Sequence, residues 1–247
     1  MRYDLQGTTL QTLNVQIAPN ETIYAESGRL LYMSDNVSMQ TEMRGGLFKA
    51  IKRKFAGESF FMVNFTAQGG QGVIGFATEV PGKIIPVHLQ AGQEMIAQKD
   101  AFICSESTVE FDATATKSIG AGFLGGEGLI LIKIRGPGQA FFNVGGEVTE
   151  FNLTAGQKLR IDTGNLAMFD STVKYSVERV KGVKNMIWGG EGLFLATMEG
   201  PGRVWIQSLS IHELANKIAS YIPGRGGRGS AGGFLAGAAL GALGGRR

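Results

Sequence analysis

Apolar residues mostly alternate with polar ones along the first forty positions. Leu10, Leu13, Val15 and Ile17 lead to a turn at Ala18-Pro19-Asn20-Glu21, and Thr22-Ile23-Tyr24-Ala25 and Leu30-Leu31-Tyr32-Met33 follow it. Alternation with turn signals predicts β-strands. Residues 57–118 and 126–180 carry the same pattern. Val144, Val148, Phe151 and Leu153 run into Ala155-Gly156-Gln157, and Leu159 and Ile161 follow. Helical spacing occurs twice. Leu47, Ile51 and Phe55 fall four apart among Lys49, Lys52, Arg53 and Lys54. Ile211, Leu214, Ala215, Ile218 and Tyr221 or Ile222 form one stripe, which predicts an amphipathic helix over 211–222.

The pattern has a period. Ala91-Gly92-Gln93 recurs 64 positions later at 155–157, Ser107-Thr108-Val109 at 171–173, and Gly126-Glu127-Gly128-Leu129 at 190–193. An earlier copy reads Gly57-Glu58-Ser59-Phe60. A fixed internal period outweighs any single motif as a sign of architecture. Residues 57–124 and 126–188 read as two copies of one unit. Residues 190–210 match only the first half of a third. The N-terminus supplies the rest, with Ala18-Pro19-Asn20-Glu21 set against Ala91-Gly92-Gln93-Glu94. The expectation is an all-β body over 1–212, a pseudo-threefold repeated sandwich or prism whose termini meet to complete one unit. Such a meeting would remove two exposed sheet edges. The short helix and a Gly-rich tail, 223–247, complete the chain.

These residues resemble a known family. The Gly-Glu-Ser-Phe and Gly-Glu-Gly-Leu strand openings, the Gly-Gly-Leu-Phe…Lys-Arg stretch before the first of them and the Ala-Gly-Gln turns are similar to the altered-inheritance-of-mitochondria 24 family, over about residues 3–212. The resemblance implies a β fold similar to the tryptophan RNA-binding attenuation protein, duplicated within one chain, and a homotrimer. It carries over no catalytic residues. The mitochondrial branch of the family is linked to inner-membrane organisation.

The search for chemistry narrows quickly. The single cysteine, Cys104, excludes an intrachain disulfide and sits beside Ala101-Phe102-Ile103, which reads as a buried thiol. The two histidines, His88 and His212, fall in different elements without Cys or carboxylate at ligand spacing. Gly120-Ala121-Gly122-Phe123-Leu124-Gly125 matches G-x-G-x-x-G, but a strand follows it where a dinucleotide site needs a helix. No cofactor, no metal and no enzymatic activity are expected.

Two clusters remain. Glu58, Glu127 and Glu191 occupy equivalent positions and could form an acidic ring that binds a cation, or could simply pair at strand entries. The connectors before them mix apolar and basic residues: Phe48, Lys49, Lys52, Arg53 and Lys54; Lys117 and Phe123; Lys181, Lys184 and Trp188. They read either as core plugs rimmed by lysine or as a platform for a membrane surface or protein partner. In the tail, Gly233, Gly237, Gly241 and Gly245 fall four apart, a spacing that permits close helix approach in lipid but is also that of a flexible tail. A net charge of +3 is too small to argue for nucleic acid. Met1-Arg2-Tyr3-Asp4 carries no apolar signal region. The expected function is a non-catalytic scaffold or binding protein, cytoplasmic and peripheral to the inner face of the membrane. The alternative is a nucleic-acid or small-ligand binder by fold analogy.

Overall fold

The computed structural model describes residues 1–41, 62–112, 118–119, 129–179 and 194–221. The chain divides into two units, Met1–His212 and Glu213–Arg247.

The first unit is built of strands. They are β1 (Arg2–Gln6), β2 (Thr12–Ile17), β3 (Thr22–Glu26), β4 (Leu30–Met33), β5 (Val37–Gln40), β6 (Met62–Ala67), β7 (Gly72–Ala77), β8 (Gly82–Leu89), β9 (Glu94–Gln98), β10 (Phe102–Glu106), β11 (Glu110–Asp112), β12 (Ser118–Ile119), β13 (Leu129–Arg135), β14 (Gly138–Gly145), β15 (Val148–Leu153), β16 (Lys158–Asp162), β17 (Leu166–Asp170), β18 (Lys174–Arg179), β19 (Phe194–Glu199) and β20 (Gly202–Gln207). Helix α1 spans Ile211–Ser220. Four sheets result, in the orders β1-β2-β7-β4, β5-β6-β3-β10-β14-β8, β11-β13-β9-β17-β20-β15 and β16-β19-β18, with β12 paired to β13.

Every pairing between these strands is antiparallel, and one pattern of pairing recurs. β7 lies between β2 and β4, β14 between β8 and β10, and β20 between β15 and β17. Likewise β6 lies between β3 and β5, β13 between β9 and β11, and β19 between β16 and β18. Two further pairings join one set to the next, β10 with β3 and β17 with β9.

Local chemistry explains why the same turns form. Asn20, Gly92 and Gly156 hold φ of 64°, 76° and 77°, a region open to Gly and tolerated by Asn. One position later, Glu21, Gln93 and Gln157 turn their side chains back. Each accepts the backbone N–H three residues earlier, from Ala18, Gln90 and Thr154, at 2.7, 3.0 and 3.0 Å. These bonds set Ala18 against Gln90, one residue away from the alignment expected from the sequence. The similar Ala-Pro and Ala-Gly dipeptides suggested the wrong partner; the side-chain hydrogen bond fixes the right one. Farther on, β4, β10 and β17 each carry a register shift, at Leu30/Tyr32, Phe102/Cys104 and Leu166/Met168. Each of these strands follows a 3-10 turn: Ser27–Arg29, Lys99–Ala101 and Thr163–Asn165.

The expected meeting of the termini is corrected by this pairing. The strands β2 to β7 already form one complete set within residues 12–77, and 82–145 and 148–207 supply the other two. Among the described residues, no strand of the first forty positions pairs with one of 148–207. A 64-residue offset sets a period but not the phase at which a unit begins. The N-terminus instead adds β1 to the outer edge of β2, with Tyr3 edge-on to Phe141 at 4.8 Å.

The core lies in three clusters, each between successive sheets. Leu13, Val15, Ile17, Ile74 and Phe76 face Phe65, Ile103 and Phe141. Val87, Leu89, Phe102 and Phe142 face Ile132, Ile134, Met168 and Trp205. Leu131, Leu153, Phe169 and Val204 face Ile161, Ala196 and Met198. Each fully buried large apolar side chain contributes about 1.5–3 kcal/mol. β10, β14 and β17 carry buried residues on both faces, because they are central strands with a core on each side. Pro86, which cannot donate to a ladder, sits on β8 at a sheet edge.

Candidate functional site

The residues singled out in the sequence lie outside the described residues: Phe48, Lys49, Lys52, Arg53, Lys54, Lys117, Phe123, Lys181, Lys184 and Trp188 of the connectors, and Glu58, Glu127 and Glu191 of the acidic set. So does the Gly120–Gly125 motif. Their anchors are described. The three connectors join β5 to β6, β11 to β13 and β18 to β19, and each of these is an antiparallel pair. The flanks are tightly matched: Gln40 opposes Asn64, Asp112 opposes Lys133, and Arg179 opposes Phe194. In the second connector, Ser118 and Ile119 extend the ladder against Ile130 and Leu129. Each connector therefore runs between two strands that pair antiparallel.

His88 is exposed on β8 between buried Val87 and Leu89, away from the core and from any cluster of ligands. Cys104 is wholly buried, and burial pushes its thiol well above the ordinary value. Among the described residues no group of three His, Cys, Asp or Glu is placed to hold a metal ion.

The described polar interior gathers at the 3-10 turns. Arg29, Lys99 and Thr163, one from each turn, are buried, as are Gln207 and Ser210. Arg29 donates to the Asp100 carbonyl on the next turn. Its Nη1 lies 3.2 Å from Glu79 and its Nε 3.7 Å from Glu26. Burial raises the Glu26 carboxyl, opposed by the hydrogen bond from Gly28 N–H and the charge of Arg29. Gln98 reaches the Thr163 carbonyl at 3.5 Å. Gln207 ties the ends together. Its Oε1 accepts the Gly145 N–H at 3.1 Å, and its Nε2 donates to the Gly164 carbonyl at 2.9 Å and to Gln98 Oε1 at 3.4 Å. Asn165 Nδ2 donates to the Gln207 backbone carbonyl at 2.9 Å.

This network saturates backbone groups that the turns leave without ladder partners, which is a joining role. It pairs no nucleophile with a base. Sequence reasoning missed it because polar residues on short turns read as solvated. The available signal was positional: Gly28-Arg29, Asp100-Ala101 and Gly164-Asn165 stand at one place in the repeat.

A second set of polar contacts also recurs. The Ser34 hydroxyl, the Glu106 carboxylate and the Asp170 carboxylate accept the N–H groups of Val73, Gln139 and Arg203 at 3.0, 2.9 and 2.9 Å. Arg203 returns a fork to Asp170 at 3.0 and 3.1 Å and lays its guanidinium 4.7 Å over Trp205. The hydrogen bond to Asp170 holds the Arg203 guanidinium above its usual value.

Comparison with known proteins adds a family. The family model described as mitochondrial biogenesis AIM24 matches residues 3–209. An uncharacterized protein of Streptococcus pyogenes serotype M6 is 25% identical over 220 residues, covering 85% of this chain and 86% of its own. A crystal structure of a Streptococcus pyogenes protein superposes with a TM-score of 0.72 at 23% identity, covering 90% of this chain and 99% of that one. That likeness concerns the fold alone.

Proposed function

The chain belongs to the AIM24 mitochondrial biogenesis family, and from that premise we propose that it is a non-catalytic scaffold or binding protein acting at a membrane surface through its three connectors. The observation that carries this reading is the placement of the connectors. All three basic and apolar segments run between strands that pair antiparallel, and those strand pairs occupy the same place in the recurring pairing pattern. Loops presented from rigid pairs are where binding residues concentrate.

The recurring turns, register shifts and pairings support an approximately threefold repeated body, similar in fold to the tryptophan RNA-binding attenuation protein. Such a body presents equivalent loops on one end. A homotrimer would multiply that surface, and weak contacts become strong when several act together. Lys49, Lys52, Arg53 and Lys54 would contribute about 1 kcal/mol each near an anionic surface, and Phe48 and Trp188 would add apolar anchorage. The body is cytoplasmic in this reading and peripheral to the membrane. Among the described residues no helix is long and apolar enough to cross one. In α1 Ile211 and Ile218 are exposed, and so is Tyr221 just after it.

Flotation of the full chain with phosphatidylcholine vesicles containing phosphatidylserine tests the reading. The protein is expected to float with them and not with phosphatidylcholine alone. Exchange of Lys49, Lys52, Arg53 and Lys54 for Ser should abolish flotation. A wild-type protein that stays at the bottom of the gradient in both lipid mixtures overturns the proposal.

A further inference from the structure

The two joints between strand sets share one geometry but carry different chemistry. The first pairs β3 with β10, and the second pairs β9 with β17. Glu26, Gln98 and Asp162 stand at one place in the repeat, immediately before the turns Ser27–Arg29, Lys99–Ala101 and Thr163–Asn165. In the second joint neutral amides make the crossing contacts. Gln98 donates to the Thr163 carbonyl at 3.5 Å, and Gln207 reaches Gln98 and the Gly145 N–H at 3.4 and 3.1 Å. In the first joint the same region is ionic. Glu26 and Arg29 flank the first turn, Glu79 follows β7, and Lys99 and Asp100 belong to the second turn.

The ionic joint is fastened loosely. Arg29 is 3% exposed, yet its Nε and Nη1 make no hydrogen bond. They have ion contacts instead, at 3.7 Å with Glu26 and 3.2 Å with Glu79. Its Nη2 crosses to the next set, at the Asp100 carbonyl. Lys99 Nζ lies 3.7 Å from the Asp100 carboxylate. Three carboxylates, Glu26, Glu79 and Asp100, thus share a region with two cations, Arg29 and Lys99. Glu26 is the most enclosed of the three, its side chain 12% exposed against 44% and 63%. A charge taken out of water is costly unless it is closely paired and hydrogen-bonded. Glu26 accepts the Gly28 N–H at 3.0 Å but makes no such bond with Arg29.

We propose that the first joint is a proton-responsive hinge, held firm while Glu26 is protonated and loosened when Glu26 ionises, whereas the amide joint does not respond. Two effects oppose each other. Protonation gives up the attraction to Arg29. Ionisation places a third negative charge in a half-buried region. The attraction acts across 3.7 Å without a hydrogen bond, and Arg29 keeps Glu79 nearer, so the cost of burial wins and the Glu26 carboxyl is raised above 4.5. A carboxyl raised in the fold contributes stability that is present below its unfolded value and lost as pH rises through the folded one. The joint therefore loosens from pH 5 toward neutrality. Among the described residues the charged groups that face Glu26 are Arg29 beside it, Glu79 and Asp100 from the neighbouring segments, and Lys99 next to Asp100. Opening separates β3 from β10, and with them Ala25 from Cys104. It needs neither lipid nor a second copy of the chain.

Cys104 lies inside this joint, buried opposite Ala25, and its thiol reports the opening. Met168 holds the same place in the second joint, opposite Ala97. A Cys104→Ala, Met168→Cys variant moves the thiol there. Both proteins are labelled over hours with a dipyridyl disulfide, in urea below the unfolding midpoint, at pH 5 and pH 7. Each rate is divided by that of the unfolded chain at the same pH. The ratio for Cys104 should rise from pH 5 to pH 7, and the ratio for the moved thiol should stay constant. Glu26→Gln gives the first joint the residue type that the second carries at Gln98, and it should abolish the rise. An equal or larger rise at the second joint overturns the hinge in favour of whole-chain unfolding. No rise at Cys104, or a rise that survives Glu26→Gln, overturns the role of Glu26. Amide hydrogen exchange of the unaltered chain gives a reading that needs no variant. Protection over 22–26 relative to 94–98 should fall from pH 5 to pH 7, and a constant ratio overturns the proposal.

Discussion

Replacing Gln207 by alanine should destabilise the protein far more than its modest size suggests. The side chain is buried and makes three hydrogen bonds, accepting from Gly145 N–H and donating to the Gly164 carbonyl and to Gln98 Oε1. Alanine strips the partner from a backbone donor and a backbone acceptor in the interior. A buried group left unsatisfied costs about 1–3 kcal/mol, and the contact to Gln98, at 3.4 Å and partly exposed, adds little. The two backbone groups together therefore cost about 2–4 kcal/mol, allowing for partial relief where water enters. In a chain of this size that corresponds to a fall in melting temperature of about 4–16 °C. Urea unfolding followed by circular dichroism measures it, with Gln6→Ala as a control, since Gln6 is exposed and bonds only Asp4. Gln207→Glu separates the two halves: a carboxylate still accepts from Gly145 but cannot donate to Gly164. It should recover part of the loss only when protonated. A Gln207→Ala change within about 0.5 kcal/mol of wild type would refute the joining role assigned to the polar cluster.

Two other expectations follow from titrating groups. Hydrogen bonds from Arg135, then Lys133, hold the Glu94 carboxyl below its usual 4.5. A depressed carboxylate stabilises the fold above its unfolded value and loses that contribution as pH falls through the folded one. Glu94→Gln should therefore cost at most about 1 kcal/mol at pH 7 and less at pH 3, read as the difference between urea midpoints. The half-buried Glu26, raised by desolvation, slopes the other way in both proteins, so the difference isolates Glu94; equal midpoint differences at both pH values contradict the assignment. Cys104, buried with its thiol pushed up, should react with an aromatic disulfide reagent at pH 8 only on unfolding, and stoichiometric labelling of native protein within minutes refutes its burial.

Strand content was legible because alternation is local. Leu13, Val15 and Ile17 announce a half-buried strand without knowledge of anything distant, and all three are fully buried. The Ala-Gly-Gln turns were legible for the same reason: a left-handed glycine and a glutamine that bonds back across three residues are written in adjacent letters. The phase of the repeat was not. Whether Thr12 or Gly57 begins a unit depends on which strands pair across the sheet, and two phases of one period leave the same spacing in the sequence. Arg29, Lys99 and Gln207 were illegible for a related reason. A charged side chain on a three-residue turn, or an amide at the end of a strand, reads as solvated until other elements are brought over it, and the closing bonds span 71 residues for Arg29 to Asp100 and 62 for Gln207 to Gly145.

The polar joint and the apolar edge are two consequences of one arrangement. Where two strand sets meet inside the chain, the ladder is covered and side chains such as Gln207 and Arg29 satisfy the turns beside it. Where the chain runs out of sets, the same strand position must remain at a surface. Leu31, Tyr32 and Met33 keep the size and apolarity suited to a covered joint, although Asp35 stands beside them and no proline or lysine interrupts them. Edges that must stay single usually carry such blocking residues. The edge strand β16 does carry lysine and arginine, at Lys158 and Arg160, and both are turned toward acidic partners on their own sheet, Glu199 and Glu178.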